Sequence, residues 1–465
     1  MHRRDLLKSL VASTLTAAVP SAFLVTHQNT AANTLNKATR IPWKNWSGNQ
    51  ICYPKHKLSP NNLEQLKETL STSQGTVRVV GSGHSFSELI PTDDTLISIR
   101  RLNGIVHTDD VKKTATISAG TTLGETGPLL AKHHQALLNM PDVDHQTLAG
   151  AINTATHGTG RELGSLSSFV SALTLVTASG EALNCNANNH SELFNAAKVG
   201  LGSLGIITDI TMQNTQPYNL KRDAFWLPIE ETLSSADKLS RDNRHFEFFY
   251  FPFTGMTLID TLNESNEAIQ SAEEIDGNSG ILDLKNARDY LSWSPKLREL
   301  IVGGYLKTQS SVSRVDKSYA IYANDRNVRF NEMEYHLPID EGLPALREVI
   351  SMIEKNFHDV FFPIECRYIK QDDAWLSPFY KRDSISIAVH RYFEEDHSAL
   401  FNAIEPILQK YNGRPHWGKL NTFSAKQCRE AYPHWQDFID IRQQVDPQNR
   451  FLNSYLKQLF LKTEA

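Results

Sequence analysis

Several short runs in this chain combine residue types that do chemistry. Gly81-Ser82-Gly83-His84-Ser85-Phe86 follows Val77-Arg78-Val79-Val80, whose composition predicts a buried strand. Glycines carry no Cβ, so their backbone N–H groups can close on phosphate oxygens. Position 86 is Phe where the dinucleotide fingerprint needs Gly, so this loop is not that motif. A formal GxGxxG does occur, at Gly200-Leu201-Gly202-Ser203-Leu204-Gly205. It follows a predicted helix (191–198) and precedes a predicted strand (206–212), the reverse of the order that sets a phosphate on a helix N-terminus. That order excludes an NAD-type site here and predicts a tight turn packed against a cofactor or another backbone segment. A third loop, Ala149-Gly150-Ala151-Ile152-Asn153-Thr154-Ala155-Thr156-His157-Gly158-Thr159-Gly160, is dense enough in small residues and hydroxyls to line a pyrophosphate. Taken alone it reads equally well as a polar surface loop.

The second half holds candidate side chains of another kind. Glu365 and Arg367 stand two apart on a predicted strand (364–369), so they share a face while Ile364 and Cys366 turn to the core. A carboxylate there can accept hydrogen bonds from hydroxyls, and a guanidinium can stabilise growing negative charge. In residues 384–390, Ile385, Ile387 and Val389 make one apolar face. Ser386, Ala388 and His390 make the other, with room for a ligand beside the imidazole. His416 and Lys419 follow in Arg414-Pro415-His416-Trp417-Gly418-Lys419.

The elements that must position these groups read as α+β. From about 41 to 212, β-rich runs alternate with helical ones: strands at 77–80, 114–118 and 173–178, and a helix at 123–133 interrupted by Pro128. Beyond it come an aromatic strand at 245–251, a polar acidic segment at 263–278, a strand at 332–336 and a helix at 343–356. With 465 residues the chain exceeds one core. It divides into an export segment (1–32), a first domain (41–217), a second (218–404) and a C-terminal segment (405–465) returning to the first. Hydrophobic residues at 40% and charged ones at 21% suit a soluble globular protein. A net charge of −5 without a dense basic patch excludes nucleic acid as a partner. Cys52, Cys185, Cys366 and Cys428 are too far apart in sequence for a zinc knuckle and read as core thiols, a disulfide staying open. Arg3-Arg4, then Lys8, ahead of a mildly apolar run at 10–25 resembles a twin-arginine export signal, which would place the protein in the periplasm or outside. That run is too short and too hydroxylated for a stable membrane span.

The three glycine-rich loops, in this order, resemble the FAD-binding domain of vanillyl-alcohol-oxidase-type flavoenzymes. Phe362-Pro363-Ile364-Glu365-Cys366-Arg367, Trp375-Leu376-Ser377-Pro378 and the 414–419 run narrow the resemblance to the sugar-lactone oxidase branch. That branch holds gulonolactone, arabinonolactone and alditol oxidases, and the match runs from about 41 to the C-terminus. It implies a two-domain, PCMH-type FAD-binding fold with a substrate cap on an antiparallel sheet. It implies FAD bound covalently through His84, by a single link because no Cys stands in 139–150. The implied flavin contacts are Gly81, Ser82, Gly83 and Ser85, then Asp142, Thr147, Gly150, Thr154, Thr156, His157 and Gly158, then Ile207 and His416.

The implied reaction is oxidation of a CH–OH group in an aldono-1,4-lactone or alditol. Hydride passes to flavin N5 and electrons to oxygen. Glu365 holds hydroxyls, Arg367 balances the reduced flavin, and His390 or Lys419 takes the hydroxyl proton. A desolvated Lys419 is expected to have a lowered pKa suited to that task. Asn139-Met140-Pro141-Asp142 departs from the branch, which carries a small residue and then Ser where Pro141 and Asp142 stand. The departure leaves open a periplasmic dehydrogenase that uses a cytochrome or quinone. A non-catalytic flavin- or carbohydrate-binding protein is the further alternative, and the joint presence of Glu365, Arg367, His390 and Lys419 opposes it.

Overall fold

The computed structural model describes residues 40–270, 277–323 and 327–461; the export segment expected at 1–32 lies outside the described residues. Two hydrophobic cores organise the chain from Ile41 onward. The first is built around two small sheets. His56–Leu58, Thr95–Ser98 and Val77–Val80 pair in parallel in that spatial order. Ile105–Asp109, Thr114–Ser118, Ile206–Gln213, Val170–Val176 and Ala182–Asn186 form a five-stranded antiparallel sheet beside them.

The expected loop at 149–160 is half helix. Leu148–Asn153 is helical because Thr147 caps it, its Oγ1 accepting from Gly150 N at 3.3 Å, and because Leu148, Ala149, Ala151 and Ile152 bury against the first core. The chain returns to this core at its end. Helices Ala425–Ala431, Trp435–Val445 and Ser454–Phe460 contribute Cys428, Trp435, Phe438 and Phe460, and Tyr432, capping the first of them, joins the same core. All four cysteines are buried free thiols.

The second core lies on one face of an eight-stranded antiparallel sheet. Its order is Val312–Lys317, Asn219–Pro228, Met256–Glu264, His245–Phe251, Ile364–Ile369, Ser384–Tyr392, Phe330–Pro338 and Arg414–Pro415. Period-two alternation decides which side chains go where. Phe246, Phe248, Ile364, Cys366, Ile385, Ile387, Met333 and Tyr335 all turn to the apolar face. There they pack with helices Ile229–Asp242, Ile339–Asn356 and Ser398–Lys410. Each fully buried Phe, Ile or Leu is worth about 1.5–3 kcal/mol, which fixes the register strongly. The alternate positions are thereby committed to the other face, and they include Glu247, Glu365, Arg367, Glu332 and Glu334. Among the described residues no helix is long and apolar enough to cross a membrane.

Candidate active site

A cleft of about 1160 Å³, counted with its open mouth, runs past all three glycine-rich segments and the charged face of the large sheet. Its first wall is made of backbone. A Cβ on Gly81 would sit 2.0 Å from Thr147 Oγ1, so only glycine lets this loop rest on the cap of Leu148–Asn153. Gly83 turns the chain with φ +73°. Its carbonyl accepts from Trp46 N at 2.8 Å, and Phe86 N donates to Gly418 O at 2.7 Å. The loop is thus tied both to the start of the described chain and to the 414–419 run.

His84 projects from this loop with its ring between Trp46 (centroids 5.7 Å, 25°) and His145 (6.0 Å, 9°). Burial, then the neighbouring His145 and Lys419, push its pKa down to about 4. The imidazole is therefore neutral at neutral pH. The GxGxxG segment also borders the cleft, through Leu201, Gly202 and Gly205. Gly202 has φ +61° and donates its N–H to Asn153 Oδ1 at 3.0 Å. The Leu201 and Gly202 carbonyls accept from Arg78 at 2.9 and 2.7 Å. This is the tight turn the reversed order of elements implied.

The second wall is a lattice of side chains set by strand register. Asp260 pairs with Glu247, Glu247 with Arg367, Arg367 with Ser386 and Ser386 with His336. The next row runs Phe249, Glu365, Ala388, Glu334, and Glu332 faces His390 beyond it. Ser386 and Ala388 are small, which leaves space between the two charged flanks.

Arg367 donates from Nε to Glu247 at 3.0 Å, bonds Glu365 through Nη2, and ion-pairs with Asp142 at 3.2 Å. Three carboxylates around one cation are more than that cation neutralises. Burial accordingly raises Glu247, and it raises Glu365 to about 8 against the pull of Arg367. Glu365 is thus largely a neutral acid at pH 7. Glu334 goes the other way: burial would raise it, but His157, His416 and His336 together hold it well below the carboxylate range. His157 Nε2 lies 3.0 Å from Glu334, and its Nδ1 donates to Gly158 O at 2.8 Å. Burial lowers His416 to about 3, and its Nδ1 accepts from Gly418 N at 3.0 Å.

Lys419 corrects an expectation. Its pKa is raised, not lowered: burial alone would lower it, but Glu332 in direct contact and Glu334 at 4.0 Å hold the ammonium form. Desolvation was foreseen from the sequence; the paired acids on the facing strand were not.

Of the residues singled out from sequence, Gly81, Ser82, Gly83, His84, Ser85, Asp142, Thr147, Gly150, Thr154, Thr156, His157, Ile207, Arg367, His416 and Lys419 border the cleft. Three do not. Gly158 sits behind the wall, where a Cβ would meet Met140 O at 2.3 Å. Glu365 is bonded to Arg367, which does line the cleft. His390 lies beyond Glu332, its Nε2 3.7 Å from that carboxylate. Glu247, Glu332 and Glu334 were missed. Glu332, Glu334 and His336 alternate with Met333, Tyr335 and Leu337, the same signal that exposed the Ser386–His390 face, and Glu247 is the one charge inside an aromatic run.

Comparison with known proteins places these features. A family model described as D-arabinono-1,4-lactone oxidase matches residues 210–459, and an FAD binding domain model matches 54–186. L-gulono-1,4-lactone dehydrogenase of Mycobacterium tuberculosis is 35% identical over 90% of this chain and 98% of its own length. L-gulonolactone oxidase of Bos taurus is 31% identical over the same shares. Alditol oxidase of a Streptomyces species is 25% identical over 89% and 98%. In structure, cholesterol oxidase of Brevibacterium sterolicum superposes with a TM-score of 0.74 over 94% of this chain and 100% of that one, at 17% identity. The fold is the two-domain α+β PCMH-type FAD-binding fold.

Proposed function

Since this chain belongs to the sugar-lactone oxidase family of FAD-dependent oxidoreductases acting on CH–OH groups, we propose that it oxidises an aldono-1,4-lactone, with its flavin held covalently by His84. The observation that carries this reading is the meeting, in one cleft, of a glycine-built anion cradle bearing a neutral imidazole and a sheet face bearing Arg367, Glu334 and Lys419. The cradle fits FAD. Gly81 approaches Thr147 closer than any side chain would allow, and Gly83, Gly150, Thr154 and Thr156 add small groups and hydroxyls for a pyrophosphate and ribityl chain. When bound, FAD supplies the hydride acceptor.

The rest is done by the chain's own groups. Arg367 and Lys419 each already carry carboxylate partners, so an anionic sugar acid finds no free cation among them and an uncharged lactone is favoured. Asp142 and Glu334 border the cleft as acceptors for sugar hydroxyls. Lys419 borders the cleft as an ammonium and takes the proton of the reacting hydroxyl once it has passed one of its own to a carboxylate partner. Arg367 places fixed positive charge beside the site where negative charge develops.

An alditol is the second substrate reading, because one relative is named alditol oxidase. The acceptor is oxygen, or another oxidant as in the relative named a dehydrogenase; Pro141 borders the cleft where it can restrict oxygen's approach. Anaerobic bleaching of the flavin across aldonolactones, alditols and aldoses tests the substrate, with fast bleaching expected from an aldono-1,4-lactone. No bleaching by any of them would refute the proposal. Peroxide released in air separates the acceptors. We also propose export by the twin-arginine route, from Arg3-Arg4 ahead of the apolar run. Replacing both arginines by lysine should leave the flavoprotein in the cytoplasmic fraction, and unchanged fractionation would refute it.

A further inference from the structure

Glu332 divides its carboxylate between two bases. Oε2 is paired with Lys419 Nζ, and Oε1 stands 3.7 Å from His390 Nε2. Backbone geometry fixes both ends: Glu332 is the direct cross-strand partner of His390, and Leu420 N donates to Glu332 O at 2.9 Å, which seats Lys419 above it. The other His390 nitrogen, Nδ1, lies 3.2 Å from Pro363 O. A carbonyl only accepts, so Nδ1 carries the hydrogen and Nε2 is the basic edge turned to Glu332. Phe330 meets the His390 ring edge-on at 4.9 Å, and Phe362 lies at 5.9 Å, so this flank is apolar. Lys419 borders the cleft and His390 does not.

This arrangement answers a difficulty. Lys419 is held as an ammonium and can take a proton from a hydroxyl only if it gives one up. We propose that the substrate proton leaves through Lys419 and Glu332 to His390, with Glu332 as the relay and His390 as the terminal acceptor rather than the group that meets the substrate.

With FAD bound to supply the acceptor of the C–H hydrogen and its two electrons, Lys419 Nζ would give one proton to Glu332 Oε2 and take the hydroxyl proton in its place as the O–H bond breaks. A half-turn of the neutral carboxyl group about Cγ–Cδ, and a closure of about 0.7 Å to hydrogen-bond reach, present that proton to His390 Nε2. Lys419 ends as ammonium, Glu332 as carboxylate and His390 as imidazolium, which then loses its proton to water. The other titratable groups near the path are Glu334, Glu365, Arg367, Asp142, His84 and His416.

The relay rests on the substrate reading above, so the test has one arm with turnover and one without. In the holoenzyme, Glu332→Gln should lower kcat about 10²-fold with KM within a few-fold, and Glu332→Asp should recover part of the loss. His390→Asn should flatten the rise of kcat with pH, and added imidazole should restore the rate. In the second arm, NMR of nitrogen-labelled histidines in the resting holoenzyme should show the His390 pKa falling in Glu332→Gln, because an anion beside it has been removed. An unchanged His390 pKa overturns the relay whatever the substrate. So does a wild-type kcat and pH profile in Glu332→Gln. A coupled His390 together with a failed substrate screen would instead refute the function and spare the relay.

Discussion

Gly81 and Arg367 border the same cleft and owe their places to different physics. Gly81 is there because nothing larger fits: its missing Cβ is the space that Thr147 occupies. Arg367 is there because strand register puts it beside Glu247 and Glu365, with Asp142 reaching it from the glycine-loop half of the chain. One wall works by shape and backbone dipoles, the other by charge. Two buried arginines show the same contrast. Arg78 bonds only carbonyls, those of Leu89, Leu201, Gly202 and Phe451, and burial lowers its pKa to about 9. Arg367 bonds carboxylates, which raise its pKa against the same burial. Arg78 clamps the chain together, and Arg367 stores charge where a reaction needs it.

If that division is right, the two walls should fail differently. The largest effect belongs to Arg367→Met. It should lower kcat/KM by about 10³-fold, the scale of losing one well-placed charge-stabilising donor. It should also destabilise the fold by about 3–5 kcal/mol, because Glu247 and Asp142 lose their cation and Glu365 its hydrogen-bond donor. Kinetics and thermal melts measure both. Next comes Gly81→Ala, with about 10²-fold lower activity from a cradle displaced by its new Cβ. That deficit should be the same from pH 6 to pH 9. A deficit that varied with pH would mean the first wall also works by charge.

Glu365→Gln sharpens the other side. Burial raises the Glu365 pKa from 4.5 to about 8, so its contribution to stability is complete below pH 4.5 and is lost as pH rises to 8. Glutamine cannot ionise, so the melting temperature of the wild type should fall relative to the variant across that window and run parallel to it above. Parallel curves throughout would show that Glu365 does not hold its proton. The smallest effect is Gly202→Ala, strained by φ +61° and packed 3.4 Å from Arg78 Nη2. It should cost about 1–3 kcal/mol of stability with little change in kcat.

The same contrast explains what could be read from the sequence. The glycine loops were legible because shape requirements leave residue signatures: Gly81 and Gly83 ahead of His84, and a GxGxxG in the wrong order for NAD. The strand at 364–369 and its two faces were legible from alternation alone. Charge compensation left weaker traces. Nothing local says that Glu332 and Glu334 will lie under Lys419, more than eighty residues later, so the direction of its pKa shift could not be had from its own surroundings in sequence. His390 sat correctly on its polar face, yet only the folded sheet shows that it pairs with Glu332 across the strands and does not line the cleft.

Peptide mapping by mass spectrometry of the denatured holoenzyme tests the central claim most directly. The expected result is one FAD carried on the peptide containing His84, yellow after acid precipitation, and absent from His84→Ala. Colourless precipitate, with the His84 peptide at its unmodified mass, would contradict it.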